Sequence, residues 1–124
     1  MFKFLSAYNY LGYLYADKNL NIDDAYILIK KALEIEPDNG AYLDSLGWVF
    51  YRKGDYNLAL KNLLLAEERL EETSSQDPVV YDHLGDTYIK LNNKDRALFY
   101  WEKSLKMEKN KSIEQKIKIN REKK

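Results

Sequence analysis

Apolar residues recur along this chain every three to four positions, which is the spacing of a helix that turns one face toward a core. The clearest stretch reads Tyr81-x-x-Leu84-Gly85-x-x-Tyr88 and then Ala97-x-x-x-Trp101. The apolar residues of the first part fall on one helix face. Gly85 and Ala97 are small and let two helix backbones approach closely, and Trp101 is expected to close the gap between this pair and a neighbour. The stretch therefore predicts two helices that pack as a hairpin.

The same pattern occurs three times. The second copy reads Leu43-x-x-Leu46-Gly47-x-x-Phe50 and Ala59-x-x-x-Leu63, and the first reads Tyr8-x-x-Leu11-Gly12-x-x-Tyr15 and Ala25-x-x-x-Ile29. Successive glycines of the pattern lie 35 and 38 residues apart. The distance from Gly to Ala is 13 residues in the first copy and 12 in the others, which places one extra residue in the Asp17–Asp23 turn. Insertions confined to turns are what a stack of helical hairpins tolerates.

This pattern resembles the tetratricopeptide repeat (TPR), a helix–turn–helix of about 34 residues with the signature W-x-x-L-G-x-x-Y followed by A-x-x-x-F. The resemblance covers roughly Phe4–Glu108. It implies an all-α, right-handed α-solenoid of three hairpins within a single domain, 1–124. The repeats are expected at about 5–38, 40–76 and 78–109, followed by a C-terminal capping helix and basic tail at about 110–124.

Turn and cap residues predict where the helices begin and end. Asn21 or Asn19 is expected to cap the second helix, Pro37 follows its end, Gly54 stops the third helix, and Pro78 suits the first position of the fifth. The predicted helices are about Phe4–Asp17, Ile22–Ile35, Ala41–Lys53, Asp55–Leu70, one that begins at Pro78, Asp95–Met107, and Lys111–Arg121.

The end of the chain differs in charge from the rest. Segment 103–124 contains nine lysine or arginine residues and three glutamates, a net charge of +6, whereas the whole chain is neutral. Ile113 and Ile117 form a sparse apolar stripe at helical spacing, so we expect a helix that lies against the last hairpin. A basic arm for nucleic acid is the alternative, but it lacks the interleaved aromatic residues of a single-strand binder. We therefore expect no nucleic acid partner.

Composition excludes several classes of protein. The 124 residues form one domain with a continuous core, and 45% of them are hydrophobic. The absence of cysteine removes disulfides and thiolate chemistry but suits cytoplasm and periplasm alike, with the cytoplasm the favoured expectation. No apolar run is long enough to span a membrane, and Met1–Leu5 is too short for a signal peptide.

The chain shows no motif for catalysis. It contains no Gly-rich phosphate loop, no G-x-S-x-G and no H-E-x-x-H. The single histidine, His83, shares a helix face with Asp86 but has no third ligand, while Asp82 points elsewhere, so a zinc site is not expected. We interpret His83 as a hydrogen-bonding residue of the groove. The prediction is a protein that is not an enzyme and that needs no cofactor or metal.

In TPR proteins the first helix of each hairpin lines a concave groove, through side chains three residues before the glycine of the pattern and one, four and five residues after it. The resemblance implies that the groove here is formed by Asn9, Tyr13, Ala16, Asp17, Asp44, Trp48, Tyr51, Arg52, Asp82, Asp86, Ile89 and Lys90. Members that clamp a C-terminal carboxylate place Lys, Asn and Arg there. Asn9 agrees with that arrangement, whereas Asp44, Asp82 and Asp86 would repel an acidic peptide tail.

These features predict a scaffold that binds a protein or peptide segment in its groove. Trp48 and Tyr51 are expected to act as aromatic anchors, or else to pack within the superhelix, and the aspartates favour a basic or amide-rich partner. The alternatives are a C-terminal cap or self-assembly module of a longer array, and an accessory domain of an enzyme. Phe2, Phe4 and Leu5 start the chain as an apolar patch, which predicts a weak two-fold homodimer assisted by the basic tail.

Overall fold

The computed structural model describes residues 4–123, which form helices joined by short turns. The seven helices of this part of the chain are α1 (Leu5–Asp17), α2 (Ile22–Ile35), α3 (Gly40–Lys53), α4 (Tyr56–Glu72), α5 (Pro78–Lys90), α6 (Lys94–Met107) and α7 (Lys111–Glu122). The all-α prediction is confirmed, and the predicted bounds agree to within about two residues. None of these helices is long and apolar enough to cross a membrane.

Asn and Asp side chains cap the N-termini of five helices. Asn39, Asp55, Asp77, Asn93 and Asn110 each accept a hydrogen bond from a backbone N–H in the first turn of α3, α4, α5, α6 and α7. Such a cap satisfies one of the backbone donors that a helix start leaves without a partner.

The predicted side-chain cap of α2 is wrong. Asn21 precedes α2 but makes no side-chain cap hydrogen bond. Both Asn21 and Asn19 instead adopt a left-handed backbone conformation, with φ of 47° and 56°. Asparagine tolerates this region better than most residues do, so the pair shapes the tight turn that contains the extra residue of the first repeat.

Two helices of each hairpin approach closely at the glycine of the repeat pattern. A Cβ atom added at Gly47 would lie 2.7 Å from Cγ of Leu63, and one added at Gly85 would lie 2.3 Å from the Trp101 ring. Trp101 therefore packs into its own hairpin, and it also belongs to the apolar cluster that includes Ile113 of α7. The glycines act as packing residues inside helices, as the pattern predicts.

The hairpins α1–α2, α3–α4 and α5–α6 stack in chain order, and α1, α3 and α5 lie side by side. Ile113 and Ile117 of α7 pack against Ala97 and Trp101 of α6, and Arg121 of α7 pairs with Glu102. The last hairpin is therefore covered by a helix whose other side is polar.

The apolar start of the chain differs from expectation. Phe4 is exposed, whereas Leu5 is buried against Ala32 and Tyr42, because α1 turns it toward the second hairpin. Phe2, the third residue of the predicted patch, lies outside the described residues.

Candidate partner-binding groove

Within each of α1, α3 and α5, the residues expected to line the groove share one face of the helix. Positions three before and one, four and five after a given residue share one face of an α-helix. The Tyr13 ring of α1 lies 6.1 Å from the His83 ring of α5, between their centroids, so the first and third hairpins meet across α3.

An aromatic stack joins α3 to α5. The Trp48 ring lies 4.3 Å from Tyr51 at an angle of 12°, and 3.9 Å from His83 at 15°. The Arg52 guanidinium lies 5.0 Å from the same indole. Trp48 is only 5% exposed, and its Nε1 is buried without a hydrogen-bond partner in the structure. Its faces are used inside the protein, so Trp48 supports the groove and offers no open ring.

A buried ion pair joins α3 to α5 next to this stack. Nδ1 of His83 lies 2.9 Å from Oδ1 of Asp44, and both side chains are buried. Burial lowers the pKa of His83, but the Asp44 carboxylate with its hydrogen bond, together with Asp82 and Asp86, outweighs burial and raises it above the ordinary value. The Asp44 carboxylate thus favours the protonated imidazole, against the effect of burial.

Lys116 of α7 reaches into the groove from the C-terminal end. Its Nζ donates to Oδ1 of Asp82 at 2.9 Å and to Oδ1 of Asp86 at 2.8 Å. Burial, followed by repulsion from Asp82, raises the pKa of Asp86 against the opposing effect of Lys116. Burial lowers the pKa of Lys116, but the two carboxylates outweigh it, so the net change is upward. Two carboxylates therefore share one ammonium group.

Arg52 and Lys90 occupy the rim. Arg52 donates from Nε to the backbone oxygen of Ala16 at 2.9 Å and from Nη2 to that of Asp17 at 2.7 Å. These bonds satisfy carbonyl groups at the end of α1, where a cation is favourable, and tie α1 to α3. Lys90 is exposed at the end of α5. Burial, followed by the Asp86 carboxylate, raises the pKa of Tyr51 to about 12.

A cleft of about 420 Å³ opens at the N-terminal part of the groove. It is lined by Asn9 and Tyr13 of α1, by Asp44 of α3, and by Asp77 and Val80 at the start of α5. Oδ1 of Asn9 is buried and has no hydrogen-bond partner in the structure. Burial, and then the Asp17 and Asp44 carboxylates, raises the pKa of Tyr13 and keeps its hydroxyl a donor. The cleft thus offers an amide, a phenol and a carboxylate.

The sequence did not predict the partners of the groove carboxylates. Asp44 and His83 are 39 residues apart, although they occupy neighbouring positions of successive repeats, three and two residues before the glycine. The sequence signal for this pair was that the two residues occupy adjacent positions of the repeat. Within residues 4–123 no group of His, Asp or Glu side chains is arranged to hold a metal ion.

The sequence matches the family model of the tetratricopeptide repeat over residues 4–114. A TPR repeat-containing protein of Pseudomonas aeruginosa is 40% identical over 80 residues, which are 64% of this chain and 13% of that protein. A TPR repeat-containing protein of Methanocaldococcus jannaschii is 32% identical over 91 residues, which are 73% of this chain and 15% of that protein. The chain therefore spans only a small part of the length of these curated relatives.

Solved structures share the fold. The first TPR of Spaghetti (RPAP3) bound to the HSP90 peptide SRMEEVD superposes with a TM-score of 0.81 at 16% identity, over 97% of this chain and 92% of that chain. The TPR2AB domain of yeast Sti1 in its pHSP90 complex gives a TM-score of 0.80 at 22% identity, over 96% and 46%. These superpositions confirm the predicted solenoid of helical hairpins. With the family match over most of its length, the chain belongs to the tetratricopeptide repeat family.

Proposed function

We propose that this protein is a non-catalytic scaffold that binds a segment of a partner protein in its concave groove. The observation that carries the proposal is the cleft between α1, α3 and α5. It collects Asn9, Tyr13 and Asp44 from two hairpins, and one of its polar atoms, Oδ1 of Asn9, is buried with no hydrogen-bond partner. Because an unsatisfied buried polar atom is unfavourable, a donor from a bound segment would stabilise this site.

The fold itself is compatible with such binding. The RPAP3 domain, which superposes over nearly the whole chain, is bound to a peptide. That peptide, SRMEEVD, contains three acidic residues and one basic residue. The groove here carries Asp44, Asp82 and Asp86 at the expected contact positions, with Asp44 paired to His83 and the other two sharing Lys116, and we infer a ligand less acidic than that peptide.

We infer a basic or amide-rich partner from the charge of the cluster formed by Asp82, Asp86 and Lys116. Lys116 balances only one of the Asp82 and Asp86 carboxylates, so this cluster retains one negative charge. Since both carboxylates are partly buried, their field is screened less than that of a surface pair. Asn9, Tyr13, Tyr51 and the rim residues Arg52 and Lys90 complete the proposed contact surface, and Trp48 supports it from within the protein.

Selection of peptides tests this proposal without knowledge of the natural partner. Random 12-residue peptides are displayed on phage and selected on the immobilised full chain. We expect enrichment of Lys, Arg, Asn and Gln, and we expect the double variant Asn9→Ala, Asp82→Asn to weaken the selected peptides at least about fivefold, near 1 kcal/mol.

The matched control carries the same two changes on exposed positions of the second helices, Asp24→Asn and Asn57→Ala. It should leave binding unchanged. Peptides rich in Asp and Glu would contradict the charge preference, and peptides equally bound by the groove variant would contradict binding in the groove.

A second function is favoured by one observation. The α1–α2 hairpin exposes residues whose counterparts in the third repeat are buried between hairpins, whereas α7 covers the other end. This asymmetry supports a chain that also packs against another element. The sequence predicts a weak homodimer there.

A further inference from the structure

The N-terminal side of each hairpin is here called its leading edge, the side that faces the preceding hairpin in the stack. Gly12 and Gly85 place Tyr8 and Leu11 of the first leading edge in the positions of Tyr81 and Leu84 of the third. Alignment of Ala25 with Ala97 places Lys31 in the position of Lys103, and the two leading edges can therefore be compared residue by residue.

The two leading edges differ in how far their side chains are buried. Tyr81 and Leu84 are 3% and 0% exposed because the second hairpin covers them, whereas Tyr8 and Leu11 are 36% and 40% exposed. Ile27 is also exposed, but its counterpart Phe99 is exposed in the covered third repeat as well. Tyr8 and Leu11 are thus the positions at which a covering hairpin makes the difference.

The first and third leading edges share a pair that the second lacks. Nζ of Lys103 lies 4.5 Å from the centre of the Tyr81 ring, and Nζ of Lys31 lies 5.9 Å from that of Tyr8. The second repeat has leucines, Leu43 and Leu65, at these two positions. The first leading edge therefore repeats the chemistry of the third.

What meets this lysine–tyrosine pair in the third repeat is visible in the structure. Lys103 Nζ lies 3.4 Å from Oε2 of Glu67 and 3.5 Å from Oε1 of Glu71, two carboxylates four residues apart on α4. Tyr81 and Leu84 share an apolar cluster with Leu63 and Ala66 of that helix. An i, i+4 acidic pair beside small and apolar residues is thus the complement of such an edge.

We propose that the leading edge formed by Tyr8, Leu11 and Lys31 docks a helical hairpin of the repeat type whose second helix carries two carboxylates four residues apart. The interface continues the hairpin-to-hairpin contact that occurs twice within this chain. A folded second copy does not supply this occupant, because its own Glu67 and Glu71 already meet Lys103. The surface is separate from the concave groove.

An extended chain provides the test. Residues 40–77 are repeated ahead of Leu5, which lies seven residues before Gly12 as Pro78 lies seven before Gly85, so the added hairpin enters in the correct register. Unfolding in urea is compared between the natural and extended chains. In the extended chain, Leu11→Ser should lower the midpoint by about 1 M, as a large-to-small change in a core does. In the natural chain the same change should lower it by less than about 0.2 M.

Charge reversal tests the acidic pair. Lys31→Glu should lower the midpoint of the extended chain by about 0.3 M, and conversion of both added glutamates (the repeated copies of Glu67 and Glu71) to lysine should restore it. The matched control is Lys30→Glu, a change at an exposed neighbour on the same helix. It should shift the urea midpoint of the natural and extended chains by the same amount.

Two results overturn the proposal. Equal effects of Leu11→Ser in both chains would show that the added hairpin does not cover this edge. Sedimentation of the natural chain at tens of micromolar that gives a dimer, lost in Leu11→Ser, would make a second copy the occupant. A monomer under these conditions, together with the selective loss in the extended chain, supports the hairpin.

Discussion

Replacement of Asp44 by asparagine removes the carboxylate that contacts His83 directly. The pair is buried, with 2.9 Å between Nδ1 and Oδ1, and it joins the second hairpin to the third. Removal of one partner from a buried ion pair typically lowers the free energy of unfolding by about 3–5 kcal/mol, because the other charge stays buried without its counterpart. Asparagine keeps an acceptor for the imidazole, so we expect the lower end, about 3 kcal/mol.

The pH dependence gives this prediction its sign. The folded-state pKa of His83 lies above its ordinary value, chiefly because of Asp44 acting against burial. Between the unfolded and folded pKa values the native state binds a proton that the unfolded state has lost. Stability from this group is therefore fully present below about pH 6.5 and is lost as pH rises through the folded pKa, with a slope of at most about 1.4 kcal/mol per pH unit.

The assay is urea unfolding between pH 5.5 and 9, followed by tryptophan fluorescence, since both Trp48 and Trp101 are buried. Wild type should lose stability as pH rises above about 6.5, and Asp44→Asn should be less stable and show a flatter dependence. Asp24→Asn, an exposed change of the same type, serves as the control. A pH dependence in Asp44→Asn as steep as that of wild type would refute the assignment of this loss to the His83–Asp44 pair.

Two further changes test packing and the C-terminal helix. Gly47→Leu should lower the free energy of unfolding by about 1–3 kcal/mol in thermal or urea melts, because its side chain collides with Leu63, whereas Ala41→Leu on the exposed side of α3 should change it by less than about 0.5 kcal/mol. Lys116→Met should lower the free energy of unfolding by about 1–2 kcal/mol in the same measurement, since it leaves Asp82 and Asp86 without their shared cation. Its control is Lys118→Met, on the exposed side of α7. Equal effects of the two lysine changes would contradict the role of Lys116.

Much of this fold follows from the sequence because it depends on local rules. The apolar stripe, the packing glycines Gly47 and Gly85, and caps such as Asp77 act over one or two helical turns. Because these local features recur at the repeat spacing, they also predict a stack of similar hairpins. Leu5 was misjudged because its burial depends on the angle between α1 and the second hairpin, which no periodicity encodes.

The candidate site was less predictable than the fold. Repeat positions predict which side chains line the groove, but the pairing of Asp44 with His83 depends on how α3 and α5 approach each other. Likewise, the basic tail is predicted to assist a homodimer, whereas Lys116 of this tail contacts Asp82 and Asp86 of its own chain. The sequence left open whether Trp48 is an anchor or packs within the superhelix, and the stack of Trp48 on His83 favours packing.

The proposal that the concave groove is the binding surface is tested most directly by NMR titration of the full chain with a selected 12-residue peptide. Backbone amide shifts should change for Asn9, Tyr13, Asp44 and Asp82, which lie on the facing sides of α1, α3 and α5. Amides of the exposed sides of α2 and α4, such as those of Asp24 and Asn57, should stay unchanged. Shift changes confined to α2 and α4, with the groove amides unmoved, would contradict the account.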